Sequence, residues 1–306
     1  MARHEWWRHR YNLDPYLDTL SNEQLRTRTA DVVDNFTTIN SDLKISPLPI
    51  NRSGEFWMIS WTHVLEEWAT RGGMVYDEPF IRTPDLNWPG LALAVEKFSK
   101  LRRQSDGLLV KFGKTEHIRV AFDRGSFRIS PASLYNDPSL NPAVRDDELS
   151  LDVYERSKLY AEVLDKHGGV LKPPGFVHGI RRKTFRSKTN YYVFCLAMEQ
   201  SLRLFPDFEA KSALVIHSPR RFIRLLCTRV LDELGEGWSW RAGPISYIDP
   251  LRPPKEDLDI LQSKHFRYTY QKEFRALWLP PKPLNKLEPF FIELGPLNKY
   301  ADIVEI

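Results

Sequence analysis

The sequence predicts an α+β fold with a mixed or antiparallel sheet, and three observations carry that reading. Apolar residues in roughly the first hundred positions recur at helical spacing. Beyond them, short apolar runs of strand character are mixed with helical segments. The strands and helices do not alternate regularly, as a parallel sheet would need, and the late strands follow one another as hairpin neighbours do. The chain therefore divides into a mainly helical region over residues 1–104 and an α+β region over residues 105–306 that carries the candidate chemistry.

In the helical region, "LSNEQLRTRTADVVDNF" places Ser21 at an N-cap with Gln24 in the capping-box position, and Leu25, Val32, Val33 and Phe36 along one stripe. "GEFWMISWTHVLEEWATRGG" repeats the pattern with Trp57, Trp61, Val64, Leu65 and Trp68, and Gly72 and Gly73 stop it. Such a stripe is packing surface or, without a partner, an interaction face. A third helix spans residues 91–101.

The α+β region opens with the strand "GLLVKFG", the helix "TEHIRVAFDRG" ended by Gly125, and the strand "SFRISPAS", where Phe127 and Ile129 lie opposite Arg128 and Ser130. Residues 146–166 read as a charge-rich helix, and residues 168–190 as an irregular Gly, Pro and basic connection. "YYVFCLAM" and "SALVIH" are apolar strands. Ser218, Pro219 and Gly235 delimit a helix between them, and strands follow near 239–248, 267–279 and 290–294. In "YQKEFRALWL" (270–279), alternation sets Phe274, Ala276 and Trp278 on one face and Gln271, Glu273 and Arg275 on the other.

With 306 residues, 42% of them hydrophobic, the chain can bury a large core. No apolar run approaches the roughly 20 residues of a membrane helix, and "MARHEWWRHR" lacks the apolar segment of a secretory leader, so the expected setting is the cytoplasm without a membrane partner. A formal charge of +4 tolerates an anionic partner without demanding one. Cys195 and Cys227 read as reduced core residues, and the scattered histidines give no metal-ligand spacing, so no metal is expected. Neither a Gly-rich phosphate loop nor a GxSxG elbow is present.

The stretches that join polar residues to apolar strands are "LVKFG" (109–113), "FRISPASLYNDPSLNPA" (127–143) and "YQKEFRALW" (270–278). The turn after Ser130 places it with Tyr135, Asn136 and Asp137 at a sheet rim. Together with "YYVFCLAM", these stretches resemble the bacterial DUF2971-type family over about residues 108–300. The three-strand arrangement is in turn similar to the ADP-ribosyltransferase superfamily. That resemblance implies a split mixed or antiparallel sheet and NAD as a substrate, with no metal. Lys111 takes the place of the first-strand basic residue, usually an arginine, and Ser130 that of the serine motif. Gln271 and Glu273 match the Q-x-E pair. Glu273 would then stabilise the positive charge that develops on the ribose as the nicotinamide bond breaks. Gln271 would orient the acceptor and Ser130 would hold Glu273. Tyr135 would stack on the nicotinamide, beside Asn136. The resemblance also implies a toxin or antiphage effector acting on RNA, DNA or a protein side chain, with an antitoxin or chaperone as a further partner.

"RRKTFRSK" gathers Arg181, Arg182, Lys183, Arg186 and Lys188 around Phe185, a combination that can track a nucleic-acid backbone and stack a base. Plainer readings stand beside these: a polar outer strand face with a rim ion pair, a turn serine, a solvated basic loop. They belong to a non-catalytic interaction or sensor protein of a defence system, with its tryptophan-rich helices as the binding face. A metal-dependent nuclease built on Glu273, Asp137 and Asp146 lacks recognisable ligand spacing.

Overall fold

The computed structural model describes residues 2–48, 52–74, 84–101, 107–164, 170–254 and 258–306. Helices α1 (Arg3–Leu13), α2 (Asn22–Phe36) and α3 (Arg52–Thr70) come first, with the hairpin β1 (Thr37–Ile39) and β2 (Ile45–Pro47) between the second and third. Next come α4 (Leu91–Lys100), β3 (Leu109–Gly113), α5 (Thr115–Arg124), β4 (Ser126–Pro131), β5 (Ser150–Leu164) and β6 (Val170–Arg186). They are followed by β7 (Tyr192–Ala197), α6 (Leu204–Asp207), β8 (Ser212–Ile216), α7 (Pro219–Leu234), β9 (Ser239–Pro244) and β10 (Ser246–Ile248). The chain closes with β11 (Ser263–His265), β12 (Glu273–Leu279), β13 (Phe290–Glu293) and β14 (Ala301–Glu305).

Local signals account for the helix ends. Ser21 Oγ accepts from the Gln24 backbone N–H at 3.2 Å, and Gln24 Oε1 accepts from the Ser21 N–H at 2.9 Å, the reciprocal capping box that starts α2. Gly125 ends α5 at φ 65°, and a Cβ there would lie 2.3 Å from the Gly295 carbonyl oxygen, so this stop admits only glycine.

An eight-stranded antiparallel sheet runs β13-β4-β7-β3-β8-β14, with β12 on β7 and β9 on β12. β12 pairs along all of β7, from Tyr192 to Ala197. The other edge of β7 is shared: β4 takes Tyr192 and Val193, β3 takes Ala197 alone, and the edge between them is open. The sheet is therefore split at the middle of β7.

Alternation sorts the side chains. Phe127, Ile129, Phe194, Leu196, Leu214, Ala276 and Trp278 pack under α5 and α7 with Phe222, Leu226 and Val230. On the opposite face Val110, Phe112, Ala197, Ala213 and Val215 meet α4 and α6 through Leu91, Phe98 and Phe205. The N-terminal helices hold their own cluster of Tyr11, Leu17, Leu25, Val32, Trp57, Val64 and Trp68, which reaches the C-terminal half at Phe266. Trp57 stacks on that ring at 5.7 Å. The expected stripe on α3 is thus core, except that Leu65 is exposed.

Three expectations change. The helix expected over 146–166 and the irregular connection expected over 168–190 are replaced, within the described residues, by the antiparallel ribbon of β5 (Ser150–Leu164) and β6 (Val170–Arg186). Within it Asp152 accepts from Arg182 and Thr184 at 2.5 and 2.6 Å, cross-strand contacts that a local reading of Glu, Lys and Leu content cannot register. The strand expected over 267–279 begins only at Glu273, because residues Phe266–Gln271 form a 3-10 turn. α1 and β14 carry no signal that predicted them.

Candidate active site

The turn Phe266–Gln271 delivers the chain to β12 through Lys272, which sits in the left-handed region at φ 45°. A non-glycine residue in that region is uncommon and costs of order 1 kcal/mol. Gln271 and Glu273 are therefore not strand neighbours, yet both are buried and both line one cavity of about 180 Å³. Lys111, Tyr135, Glu148, Cys195 and Lys264 share its wall with Val110, Phe112, Ala197 and Phe208. The Glu273 and Arg275 face of β12 is thus buried, as is Gln271 in the turn before it, and the reading of an outward face is corrected: Arg275 is fully buried and Glu273 is 5% exposed.

Glu273 sits at the centre of an ion-pair network. Lys264 Nζ donates to Glu273 Oε2 at 2.9 Å and to Gln271 Oε1 at 3.3 Å, and lies 4.0 Å from Glu148 and Asp146. Arg275 Nε donates to Glu273 Oε1 at 2.9 Å, while its Nη2 approaches Glu148 Oε2 to 2.7 Å. Burial pushes the Glu273 carboxyl upward, but Lys264 and Arg275 outweigh it and hold the group well below the usual carboxylate range. Glu148 and Asp146 go the other way, because burial prevails over the same two cations. Lys264 and Arg275 keep their charge against burial because these carboxylates surround them. Taking so many charges from water is expensive, and only such mutual pairing offsets the cost.

Other contacts fix the frame. Gln271 Nε2 donates to the Ala143 carbonyl at 2.7 Å, the Glu273 N–H donates to the Tyr247 hydroxyl at 2.7 Å, and the Tyr191 hydroxyl donates to the Glu148 carbonyl at 2.9 Å. Lys111 occupies the split in the sheet. Its ammonium donates to the Cys195 carbonyl at 2.9 Å, on the stretch of β7 that neither β4 nor β3 pairs, and lies 4.6 Å from the Phe194 ring centre. No carboxylate of the described residues is in ion-pair contact with it, so two of its three donors are uncommitted. Burial lowers its pKa, and burial raises those of Tyr135 and the Cys195 thiol.

The sequence candidates therefore divide. Gln271, Glu273, Lys111 and Tyr135 converge on the cavity. Ser130 pairs with Val193 on β7 and Asn136 is exposed at the end of a 3-10 turn; neither lines the cavity. The basic candidates sit on and just after β6. Arg182 pairs with Asp152 and Lys183 with Glu155, Lys183 lying over Phe185 at 4.9 Å, while Arg181, Arg186 and Lys188 are exposed. Sequence reasoning missed Lys264 and Glu148. Lys264 carries no motif, and Glu148 lay inside a predicted helix. Asp137 is exposed and distant in role from the network, and among the described residues no His, Cys, Asp and Glu cluster could hold a metal ion.

No protein-family model, curated protein or solved structure matches this chain.

Proposed function

We propose that the chain is an NAD-dependent ADP-ribosyltransferase whose cavity holds the nicotinamide end of its substrate. One observation carries the reading: the Gln271 and Glu273 pair lines a single buried cavity with Lys111 and Tyr135 where the sheet splits. The resemblance to the DUF2971-type and ADP-ribosyltransferase families through those same residues adds support. A cavity of about 180 Å³ takes one ring and part of a ribose; the rest of a dinucleotide lies outside it.

In this reading the bond between ribose C1′ and the nicotinamide nitrogen breaks, and neutral nicotinamide leaves with the electron pair. Ionised Glu273 faces the positive charge that develops on the ribose. A carboxylate has about four lone-pair sites, so Glu273 can accept from a ribose hydroxyl while still paired with Lys264 and Arg275. The acceptor's lone pair then forms the new bond to C1′, and its proton passes to Glu148 on the cavity wall. Lys111 supplies free donors for the carboxamide or a phosphate oxygen, as a point charge and not as a fork. Arg181, Arg186 and Lys188 favour a nucleic-acid acceptor, and the resemblance adds a cytoplasmic toxin or defence role with an antitoxin or chaperone partner.

A second reading has its own observation. Both Glu273 oxygens are bound by cations, and the Gln271 amide uses donor and acceptor alike. That is the pattern of a core network in a non-catalytic interaction or sensor protein.

Labelled NAD offered with total RNA, single-stranded DNA and cell lysate to wild type and Glu273→Gln separates the two. Label transferred by wild type and reduced about 10²-fold or more in a folded variant supports the transferase. NAD neither bound nor consumed by wild type with any acceptor sinks it and leaves the core network.

A further inference from the structure

The N-terminal helices meet the candidate site through the 3-10 turn Phe266–Gln271, which leads into β12. Trp57 stacks on Phe266, and Arg28, held in a fork by Asp249 at 2.8 and 2.6 Å, lies 4.1 Å from the centre of the same ring. Asn35, in the last turn of α2, grips the backbone of the turn itself. It is 1% exposed, its Nδ2 donates to the Asp31 and Arg267 carbonyls at 2.8 Å each, and its Oδ1 accepts from the Tyr270 N–H at 2.7 Å.

The Arg267 carbonyl and the Tyr270 N–H stand in the i, i+3 relation that a 3-10 turn joins directly. An amide side chain, with a donor and an acceptor on neighbouring atoms, takes both at once. Two residues beyond Tyr270 the chain passes through Lys272 in the left-handed region, a conformation that persists only where the surroundings over-determine it. Asn35 restrains the segment on one side, and the Met198 N–H, donating to the Lys272 carbonyl at 2.8 Å, restrains it on the other.

Gln271 lies between these two anchors. Its Nε2 donates to the Ala143 carbonyl and, at 3.4 Å, to the Tyr270 hydroxyl, whereas its Oε1, bound by Lys264, keeps a second lone pair. Glu273 is held by other means: its residue pairs with Ala197 on β7, its N–H donates to the Tyr247 hydroxyl, and its carboxylate sits between Lys264 and Arg275. Loss of Asn35 therefore disturbs the direction of Gln271 far more than that of Glu273.

We propose that Asn35 is a positioning residue of the transferase, aiming the Gln271 carbonyl oxygen at an O–H or N–H of the acceptor. The inference rests on the ADP-ribosyltransferase reading and makes the N-terminal helical region part of the working site. Two reactions then separate. Transfer needs an acceptor whose lone pair points at ribose C1′ while Gln271 holds its hydrogen. Hydrolysis needs Glu273 but no oriented acceptor: a water oxygen bonds to C1′, its proton passes to Glu148, and nicotinamide leaves with the electron pair.

The test follows labelled NAD in wild type, Asn35→Ala, Gln271→Ala and the double variant. Transfer is measured with total RNA, single-stranded DNA and cell lysate, and nicotinamide release without any acceptor. Asn35→Ala should cut transfer about tenfold or more. It should leave nicotinamide release and the KM for NAD within about twofold of wild type, a split that a general loosening of the fold would not give. In the double variant it should add nothing to Gln271→Ala, because residues that act as a unit are not additive. Unchanged transfer, equal loss of transfer and release, or an additive double variant overturns the proposal and leaves the transferase standing. Where wild type transfers but releases no nicotinamide without acceptor, the double variant decides alone. Neither transfer nor release by wild type ends both readings. Asn35→Asp, which keeps the acceptor for the Tyr270 N–H, carries the same test if Asn35→Ala does not fold, and unfolding of both marks Asn35 as structural and overturns the proposal.

Discussion

Lys264 carries more of the site than its one ammonium indicates. It is within 4.0 Å of three buried or nearly buried carboxylates, Glu273, Glu148 and Asp146, and Arg275 alone cannot balance them. Lys264→Met should therefore cost about 3–5 kcal/mol, as removal of one partner from a buried pair does. Adding Glu148→Gln removes one of the stranded charges and should restore a measurable part of that loss. Urea unfolding of the two variants checks this, and a Lys264→Met loss below about 0.5 kcal/mol would show that the carboxylates are not buried as ions. Cysteine gives a second residue-scale prediction. Burial pushes the Cys227 thiol up to about 12 and raises Cys195 further, so thiolate is scarce in the native chain. Both should resist iodoacetamide at pH 8 and react once urea unfolds the protein; rapid labelling of folded protein would contradict their placement.

Among the elements, α2 and α3 carry titrating groups of opposite effect. His63 on α3 lies between the Tyr11 and Tyr16 rings, and burial, aided by Arg252, lowers it to about 4. Its unfolded value is near 6.5, so the unfolded chain binds the extra proton first, and stability is lost as pH falls from about 6.5 toward 4. Asp31 on α2 has the reverse sign. Raised to about 6 from an unfolded value near 3.8, it stabilises most at low pH and less as pH rises through 6. His63→Gln should flatten the acid side of the stability profile, with the gap between variant and wild type narrowing or reversing from pH 7 to pH 4.5. An unchanged slope would mean that His63 takes up its proton while folded. The ribbon is the element whose sequence misled most. Its strands pair from Ser150 with Arg186 to Leu164 with Val170, and the contacts of Asp152 with Arg182 and Thr184, 30 and 32 residues away, favour the extended form over the helix that the charge pattern of 146–166 suggests.

For the whole molecule the open question is how its basic charge is spent. A part of it is internal, since Arg28, Lys264 and Arg275 serve buried pairs, while at the surface Arg156 ties the ribbon to the exposed Asp14 and Asp18 at 2.7 and 3.3 Å. Arg181, Arg186 and Lys188 are left exposed near the ribbon's end. Were these the cations that meet RNA phosphates, the slope of log affinity against log salt would be about −2, from roughly −0.7 for each single-strand phosphate neutralised. Filter binding of labelled single-stranded RNA across a salt series should give that slope and lose most of it in the triple Ala variant. A slope near zero in wild type removes the ribbon as an acceptor site.

The sequence by itself determined the elements whose causes are local. The α2 capping box, the Gly125 stop, the Pro219 start of α7 and the two-residue alternation of Phe274, Ala276 and Trp278 all act within a few positions along the chain. It also brought Gln271, Glu273, Lys111 and Tyr135 forward as candidates. Tertiary structure decided whether those residues meet, that Ser130 and Asn136 stay outside the cavity, and that Lys264 and Glu148 enter it. It also turned the Glu273 face inward. The physical reason is that a charged residue's position is set by partners distant in sequence: Glu273 is buried only because Lys264 and Arg275 neutralise it there. Helical periodicity and caps are written in neighbouring residues, whereas burial of charge is written in pairs that only the fold brings together.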